Sequence, residues 1–338
     1  MRFNNVGIID LAHVDAPNRI ASEEIERQLA PTFERLGIPH GMLINVAGIN
    51  ARRWWDAGVE PSDAAALAAE KLLKQSSISR DRIGVLMNTS VCRDFIEPST
   101  ASLVHGKLGL SGHCLNFDVG NACLAFMNAM DVAGMMIESG QIEYALIVDG
   151  ESSRFVQEET IKRLASEDAD QTQFRAEFAT LTLGSGAVAM LLGRADVHEE
   201  KPKYLGSVHV AASEWNHLCQ GQVDYMQTDT RTLLAEGVKL ALKTHTLASD
   251  VFDWTPSSLD HLVLHQVSSV HTRKLCEMLG LDAERAYLTF PEYGNIGPAS
   301  VPYTLSKLSD SGAIEKDQRI GLMGIGSGLN CAMAEIQW

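Results

Sequence analysis

The chain has 338 residues, of which 45% are hydrophobic and 21% are charged, the composition of a globular protein with a large core. Its formal net charge of −15 at pH 7 argues against a nucleic-acid-binding role, because phosphate recognition needs a dense basic surface. No apolar run reaches the roughly 18 residues that a membrane-spanning helix requires, so we expect no integral membrane segment.

The N-terminus and the cysteines indicate the compartment. Residues 1–5 lead into a short apolar strand and not into a secretory segment. The six cysteines form no CxxC pair and show no zinc-like spacing, so we expect neither a metal site nor disulfide bonds. These features predict a cytoplasmic protein with reduced thiols.

Apolar runs alternate with helical patterns along the chain. The runs predicted as buried strands are Ile83–Met87, Asn116–Val119, Ala145–Val148, Leu262–Leu264 and Ile320–Met323. The stretches with helical spacing are Ala64–Leu73, Leu124–Ile137, Leu233–Lys243 and Val301–Leu308. This alternation predicts a layered α/β fold in which helices cover mostly parallel strands.

Residues 120–150 and 294–328 are two diverged copies of one segment. Each copy begins at Gly-Asn, continues through an apolar periodic run and a Ser-Gly turn, and ends in a strand. A Gly-Ser-Gly turn belongs to both halves, at Gly184–Gly186 and Gly326–Gly328. The repeat predicts two similar halves, residues 1–195 and 196–338, packed about a pseudo-twofold axis.

Two polar insertions distinguish the halves. Residues 151–180 form an inserted cap in the first half, whereas the second half passes directly from Met323 to Gly324. A second irregular stretch, Asn216–Thr230, precedes a predicted helix. Such insertions often shape a binding cleft, and a solvated surface decoration explains them equally well.

Three polar residues stand where predicted strands end. Cys123 begins a helix, where unsatisfied amides are expected to lower the pKa of its thiol. His265 follows one strand of the second half, and Asn295 matches Asn121 across the repeat. Taken singly, each is more often a buried small residue, a core histidine or a turn former. Packed about a twofold axis, they would supply a nucleophile and two oxyanion donors.

Four segments around these residues resemble the signatures of thiolase-fold condensing enzymes, most of all the β-ketoacyl-acyl-carrier-protein synthase III branch. They are Gly120–Phe126, His265–Ser268, Gly294–Ser300 and Gly324–Gly328, and Gly48–Arg53 matches the N-terminal pattern of that branch. The resemblance implies a five-layer α-β-α-β-α fold of duplicated half-domains, a homodimer, and acyl transfer from a thioester to Cys123. It also implies two oxyanion holes, one from His265 and Asn295 and one from the backbone amides of Cys123 and Gly328.

The chain departs from the family pattern at two positions near this site. Thiolases carry a second cysteine where this chain has Gly324, so proton transfer by a second thiol is excluded. Synthase III enzymes present an aromatic residue that supports malonyl decarboxylation where this chain has Glu97. An exposed surface glutamate is the ordinary alternative. In the family, however, this loop crosses the dimer interface.

A carboxylate beside such a site changes the predicted chemistry. Decarboxylation generates a carbanion without a base, whereas deprotonating the α-carbon of an unactivated thioester requires one. Glu97 therefore suggests a non-decarboxylative Claisen condensation. The whole pattern is similar to the OleA-type head-to-head acyl-CoA condensing enzymes of bacterial long-chain olefin biosynthesis. This resemblance implies that two long-chain acyl-CoAs form a 2-alkyl-3-oxoalkanoate with release of CoA, without a further cofactor. Later enzymes of an olefin or β-lactone pathway are the implied partners.

The residues that contact CoA are less defined. Synthase III enzymes usually place an arginine near the CoA nucleotide where this chain has Val46. The candidate phosphate partners are Arg52, Arg53, Arg273 and Lys274. Ordinary solvated surface charge is the alternative for each of them.

Three alternative functions stay open at this point. A 3-hydroxy-3-methylglutaryl-CoA synthase-like enzyme also combines Cys, His, Asn and a catalytic Glu, but condenses an acetyl unit onto a small ketone. A decarboxylative synthase III would consume a malonyl thioester. A non-catalytic thiolase-fold partner in a multi-enzyme assembly is a third alternative, against which the intact Cys–His–Asn set argues.

Overall fold

The computed structural model describes residues 1–338 and contains thirteen strands and eleven α-helices. The strands are β1 (Val6–Asp15), β2 (Asn18–Ala21), β3 (Ala51–Trp54), β4 (Ile83–Asn88), β5 (Leu115–Asp118), β6 (Tyr144–Glu151), β7 (Gly186–Arg194), β8 (Lys203–Ala211), β9 (Cys219–Gly221), β10 (Met226–Thr228), β11 (His261–Leu264), β12 (Arg319–Gly326) and β13 (Asn330–Gln337). The helices are α1 (Ser22–Gln28), α2 (Ala30–Leu36), α3 (Pro61–Ser76), α4 (Thr100–Leu108), α5 (Ala125–Glu138), α6 (Arg154–Leu164), α7 (Gln171–Glu177), α8 (Thr230–Phe252), α9 (Ser269–Leu279), α10 (Phe290–Tyr293) and α11 (Ser300–Asp310). Every strand and helix predicted above is present, although α8 continues to Phe252, well beyond its apolar pattern.

Nine strands form one continuous sheet in the order β11-β12-β13-β8-β1-β7-β6-β4-β5. A single residue pair, Gly7 with Lys203, joins β1 to β8. The sheet therefore consists of two halves, one on each side of this junction.

The two half-sheets repeat the same topology. In each, two strands pair in parallel and then continue into antiparallel neighbours: β4-β6-β7-β1 in the first half and β11-β12-β13-β8 in the second. Strand β5 adds a further parallel strand at the edge of the first half. A single parallel bridge between Leu262 and Ala286 stands at the matching edge of the second.

The expectation of mostly parallel strands is wrong. Only the pairs β4–β5, β4–β6 and β11–β12 are parallel in the large sheet. In the first half β7 pairs antiparallel with β6, and in the second half β13 pairs antiparallel with β12. A tight glycine-rich turn joins β12 directly to β13. Antiparallel strands can be joined by short turns, whereas parallel strands need long crossovers.

Hydrophobic packing shows five layers. Helices α5 and α11 lie between the half-sheets, where Phe126 and Leu305 pack with strand residues from both halves. Helices α3 and α4 cover the outer face of the first half-sheet. Helices α8 and α9 cover the outer face of the second. The predicted α-β-α-β-α thiolase arrangement is confirmed.

The cap predicted at residues 151–180 contains α6, α7 and a 3₁₀ segment, Phe178–Thr182. Its apolar side chains, among them Ile161 and Phe174, form a separate cluster with Ile25 and Phe33 of α1 and α2. The cap also contacts the second irregular stretch, since Arg163 donates to the carbonyl of Asp224 at 2.9 Å. None of the helices combines the length and the apolar composition that crossing a membrane would require.

Candidate active site

Cys123 lies in a 3₁₀ turn, Ala122–Leu124, between β5 and α5. Ala122 has a φ of 45°, in the left-handed region that residues with a side chain rarely adopt. Strained backbone of this kind clusters at functional sites. Strand β12 lies directly over the turn, because a Cβ atom at Gly326 would be 3.3 Å from the amide nitrogen of Cys123. Glycine at 326 therefore lets the second half approach the cysteine closely.

The expectation that helix position lowers the pKa of Cys123 is wrong. Burial raises the pKa of this thiol to about 12, and nearby Cys219, Glu151 and Asp149 act in the same direction. Removing a thiolate from water, beside carboxylates, outweighs the amides of one short turn. The resting thiol is therefore neutral at pH 7, and its proton must be accepted during acyl transfer.

His265 follows β11 and extends the parallel pairing with β12, since its N–H donates to the carbonyl of Met323 at 2.7 Å. The side chain is buried, and its Nδ1 has no hydrogen-bond partner within the chain. Burial lowers the pKa of His265 to about 3, with a further effect of His271 in the same direction. The neutral imidazole therefore offers one N–H donor and one lone pair.

Asn295 is held by its backbone against the segment that ends the cap. Its N–H donates to the carbonyl of Thr182 at 2.9 Å, and its carbonyl accepts from Gly184 at 2.8 Å. The side-chain Oδ1 accepts from the N–H of Gly297 at 3.0 Å. This bond orients the amide and leaves Nδ2 free as a donor.

The turn that carries Cys123 touches the elements that carry the other two residues. It contacts β12, whose Gly324 and Ile325 line a small cavity of about 10 Å³ together with His265. It also contacts the 3₁₀ turn Gly297–Ala299, which directly follows Ile296 and Asn295. The fold thus brings the three segments to one place between the halves.

Two backbone amides at this place are free to bind an oxyanion. The N–H of Gly328, in the turn between β12 and β13, makes no hydrogen bond within the chain. The N–H of Cys123 makes none to another residue. Such amides can stabilise the negative oxygen of a tetrahedral intermediate.

Glu97 lies on the outer surface of its own chain, in the loop between β4 and α4. It is exposed and makes no hydrogen bond or ion pair there. Buried or half-buried carboxylates hold both ends of the loop. Glu151 accepts from the N–H of Val91 at 2.6 Å, and Asp118 accepts from the N–H of Ala101 at 2.7 Å. Hydrogen bonds therefore fix both ends of the loop, and Glu97 lies in its exposed segment, residues 95–98.

Two buried carboxyl groups at the end of β6, those of Asp149 and Glu151, were not identified from the sequence. Burial raises the pKa of both groups. Asp149 accepts from the hydroxyl of Thr89 at 2.5 Å. An Asp-Gly-Glu sequence directly after a buried apolar strand is the signal that could have identified them.

The four residues predicted to contact CoA phosphates differ in their exposure to solvent. Arg52 is fully buried and donates to the hydroxyl of Ser22 at 3.0 Å and the carbonyl of Leu181 at 2.8 Å, so its prediction as a phosphate partner is wrong. Its strand, β3, lies inside the fold between the cap and β2. Arg53 is half-buried, with its guanidinium 5.4 Å from the ring centre of Tyr293. Arg273 and Lys274 are exposed on α9.

Comparisons with known proteins agree with this geometry. A family model described as 3-oxoacyl-[acyl-carrier-protein] synthase III matches residues 117–212, and its C-terminal counterpart matches residues 250–338. The acyl-CoA:acyl-CoA alkyltransferase of Xanthomonas campestris is 53% identical over 100% of both chains. The protein of the same name from Shewanella oneidensis is 35% identical, again over 100% of both chains.

Solved structures give the same result. Cerulenin-bound OleA of Xanthomonas campestris has a TM-score of 0.99 and 53% identity, covering 100% of this chain and 98% of that one. A cysteine variant of the same enzyme with bound lauric acid and lauroyl-CoA has a TM-score of 0.98 and 52% identity, covering 99% and 100%. The chain described here therefore belongs to the acyl-CoA:acyl-CoA alkyltransferase (OleA) family of synthase III-type, thiolase-fold enzymes.

Proposed function

We propose that the chain condenses two long-chain acyl-CoA molecules to a 2-alkyl-3-oxoalkanoate in a non-decarboxylative Claisen reaction, with release of both CoA groups. The product class is that of the first step of long-chain olefin or β-lactone biosynthesis. Besides family membership, one observation supports the proposal: the spacing of Glu97, Cys123 and His265 along the sequence.

Crystal structures of Xanthomonas campestris OleA include variants of one glutamate, one cysteine and one histidine. In that enzyme the glutamate lies 26 residues before the cysteine, and the histidine lies 142 residues after it. Glu97, Cys123 and His265 have the same spacing here. This agreement supports Glu97, Cys123 and His265 as the base, the nucleophile and an oxyanion donor.

The first half-reaction is acyl transfer to Cys123. Its sulfur attacks the thioester carbonyl while the lone pair of neutral His265 accepts the thiol proton. The backbone N–H groups of Cys123 and Gly328 donate to the oxyanion of the tetrahedral intermediate. Collapse expels CoA, which takes the proton from His265 and leaves a neutral imidazole with an acyl-cysteine.

The second half-reaction joins the two chains. Glu97 removes a proton from the α-carbon of a second acyl-CoA, and His265 and Asn295 donate hydrogen bonds to the enolate oxygen. The carbanion attacks the acyl-cysteine carbonyl, and Cys123 leaves as a thiolate that takes back the proton held by Glu97. Water then hydrolyses the remaining thioester, which releases the second CoA and the 3-oxo acid.

We infer that the active form is a homodimer in which Glu97 enters the site of the partner subunit. Several large apolar side chains near Glu97 are exposed, including Phe95 at 58% and Ile96 at 91%. Leu115 is also exposed, and it lies on β5, whose outer edge has no pairing strand. Unpaired sheet edges and contiguous apolar patches are features of protein interfaces.

Incubation with myristoyl-CoA alone tests the proposed function. We expect a 2-alkyl-3-oxoalkanoate with twice the carbon number of the acyl group, detected by mass spectrometry together with free CoA. A requirement for a malonyl thioester would replace the proposal with decarboxylative synthesis. A product formed only from acetyl-CoA and acetoacetyl-CoA would replace it with the 3-hydroxy-3-methylglutaryl-CoA synthase-like activity.

Asn295→Ala should impair condensation about 10²–10³-fold, the usual cost of losing one oxyanion donor. Acyl loading of Cys123 should be less affected, because that step uses the backbone amides. Single-turnover loading and steady-state product formation measure the two effects. Asn295→Asp is the matched variant, since it keeps an acceptor for the N–H of Gly297 but lacks the donor. If the aspartate restored condensation, the role of Asn295 would be to shape the turn.

A further inference from the structure

A chain of hydrogen-bonded side chains runs from the two free backbone amides into the interior between the half-sheets. Asn330 Nδ2 donates to Asn121 Oδ1 at 3.2 Å. Asn121 Nδ2 donates to Asn128 Oδ1 at 2.7 Å. Asn128 Nδ2 lies 3.5 Å from Nδ1 of His209, and Nε2 of His209 lies 2.6 Å from Oδ2 of Asp131. None of these residues takes a chemical part in the reaction steps above.

The inner end of this chain is a fixed carboxylate. Asp131, on α5, is only 1% exposed. Besides His209, it accepts from the hydroxyl of Tyr204 at 2.7 Å and from the hydroxyl of Ser207 at 2.6 Å. Tyr204, Ser207 and His209 all lie on β8, so the carboxylate is anchored to the second half-sheet.

The carboxylate of Asp131 can only accept hydrogen bonds. It therefore fixes which group donates and which accepts at every step of this series of hydrogen-bonded side chains. When His209 carries a single ring proton, that proton lies on Nε2 and faces Asp131, so Nδ1 presents its lone pair to Asn128. Asn128 must then turn Nδ2 toward the histidine and Oδ1 toward Asn121. Asn121 in turn presents its own Oδ1 to Asn330. Reversing any one amide would set two donors or two acceptors against each other.

The outer end of the chain lies at the oxyanion site. Asn121 is two residues before Cys123, and Asn330 is two residues after Gly328. The side-chain amide of Asn330 lies close to Gly328, since a Cβ atom added at Gly328 would be only 2.5 Å from Nδ2 of Asn330. Gly328 has a φ of 139°, which also favours glycine. The hydrogen bond between Asn121 and Asn330 therefore joins the segment that carries the Cys123 amide, in the first half, to the segment that carries the Gly328 amide, in the second.

We propose that Asn121 and Asn330, oriented through Asn128 and His209 by Asp131, are positioning residues that hold the amide N–H groups of Cys123 and Gly328 together as one oxyanion hole. The inference rests on the proposed function and deepens it. It assigns these side chains to acyl transfer onto Cys123. The enolate, held by His265 and Asn295, does not depend on them directly.

A double-mutant cycle on acyl transfer tests the pair. Asn121→Ala and Asn330→Ala should each slow single-turnover acylation of Cys123 by myristoyl-CoA about 10–100-fold, because small displacements of catalytic groups have effects of this size. The substrate concentration for half-maximal rate should stay unchanged. The double variant should be no slower than the slower single variant, since both changes remove the same bond. Multiplying effects, or a change confined to substrate binding, would overturn the pairing.

Asp131→Asn tests the orienting role at the far end with little change in volume. Its amide can satisfy either tautomer of His209, so the direction of the chain is no longer fixed. We expect several-fold slower acylation with unchanged half-saturation. Asp196→Asn, which alters an exposed carboxylate paired with Arg194, is the matched control and should acylate at the wild-type rate.

Failure of this inference is distinguishable from failure of the proposed function. If the wild-type protein forms no acyl adduct on Cys123, the proposed function fails. If the wild type acylates and the Asn121, Asn330 and Asp131 variants acylate equally fast, only the positioning role fails. Thermal melting of each variant separates slow acylation from loss of fold, and Asn121→Ser or Asn330→Ser replaces the alanine variant at the same position if that variant melts early.

Discussion

Cys123→Ala is expected to abolish acyl transfer, with a loss of about 10⁴-fold or more in turnover. The reason is chemical, because alanine offers no atom that can carry the acyl group between the two half-reactions. Intact-mass spectrometry after treatment with myristoyl-CoA should show one acyl adduct on the wild-type chain and none on the variant. Condensed product should be absent as well.

The other cysteines provide the control for this prediction. The chain has five further free thiols, and Cys276 is buried in α9 with the outer core of the second half. Cys276→Ala should keep the adduct, which peptide mapping should place on Cys123. An adduct that persists in Cys123→Ala would show that another thiol is the nucleophile.

The position of Cys123 in a turn between a strand and a helix could be predicted from sequence because its signal is local. A strand, a short turn and a helix follow one another along the chain around Cys123, and each leaves its own pattern. The same holds for His265 at the end of β11 and for Asn295 in a glycine-rich turn. The repeat then indicated that these segments face each other, and the structure brings them together.

The properties of these residues were harder to predict, because they depend on groups distant in sequence. The raised pKa of Cys123 reflects burial and the neighbours Cys219, Glu151 and Asp149, which arrive from other strands. The polar chain from Asn330 to Asp131 joins segments as far as 209 residues apart. No local pattern distinguishes such partners from ordinary surface asparagines.

The predictions that Arg52 contacts phosphate and that the strands are mostly parallel were wrong for related reasons. A run of two arginines predicts solvent-facing charge, but alternation along β3 buries Arg52 beneath the cap and leaves Arg53 beside Tyr293. Strand direction depends on the connections between strands. The sequence predicts a Gly-x-Gly hairpin in each half, but the expectation of mostly parallel strands neglects the antiparallel strands β7 and β13 that follow these turns and make the sheet mixed.

Glu97 is the proposed base for the α-carbon. A carboxylate removes a carbon-bound proton poorly in water, and removal from water strengthens it as a base. Glu97 is exposed on a single chain, and in the proposed dimer this environment would come from the other subunit and its bound acyl groups. Glu97→Ala should therefore still form the acyl-Cys123 intermediate and fail to make condensed product. Glu167→Ala, which alters an exposed glutamate of the cap, should do both.

Mixed dimers test whether Glu97 acts across the interface. When Cys123→Ala and Glu97→Ala subunits are mixed in equal amounts, about half of the dimers carry one subunit of each kind. If Glu97 serves the partner's cysteine, each such dimer has one complete site of two, and about a quarter of wild-type condensation returns. If Glu97 serves its own chain, no mixed dimer has a complete site and activity stays at background. Restoration would place the base and the nucleophile of one reaction on two chains, which makes the dimer itself the catalytic unit.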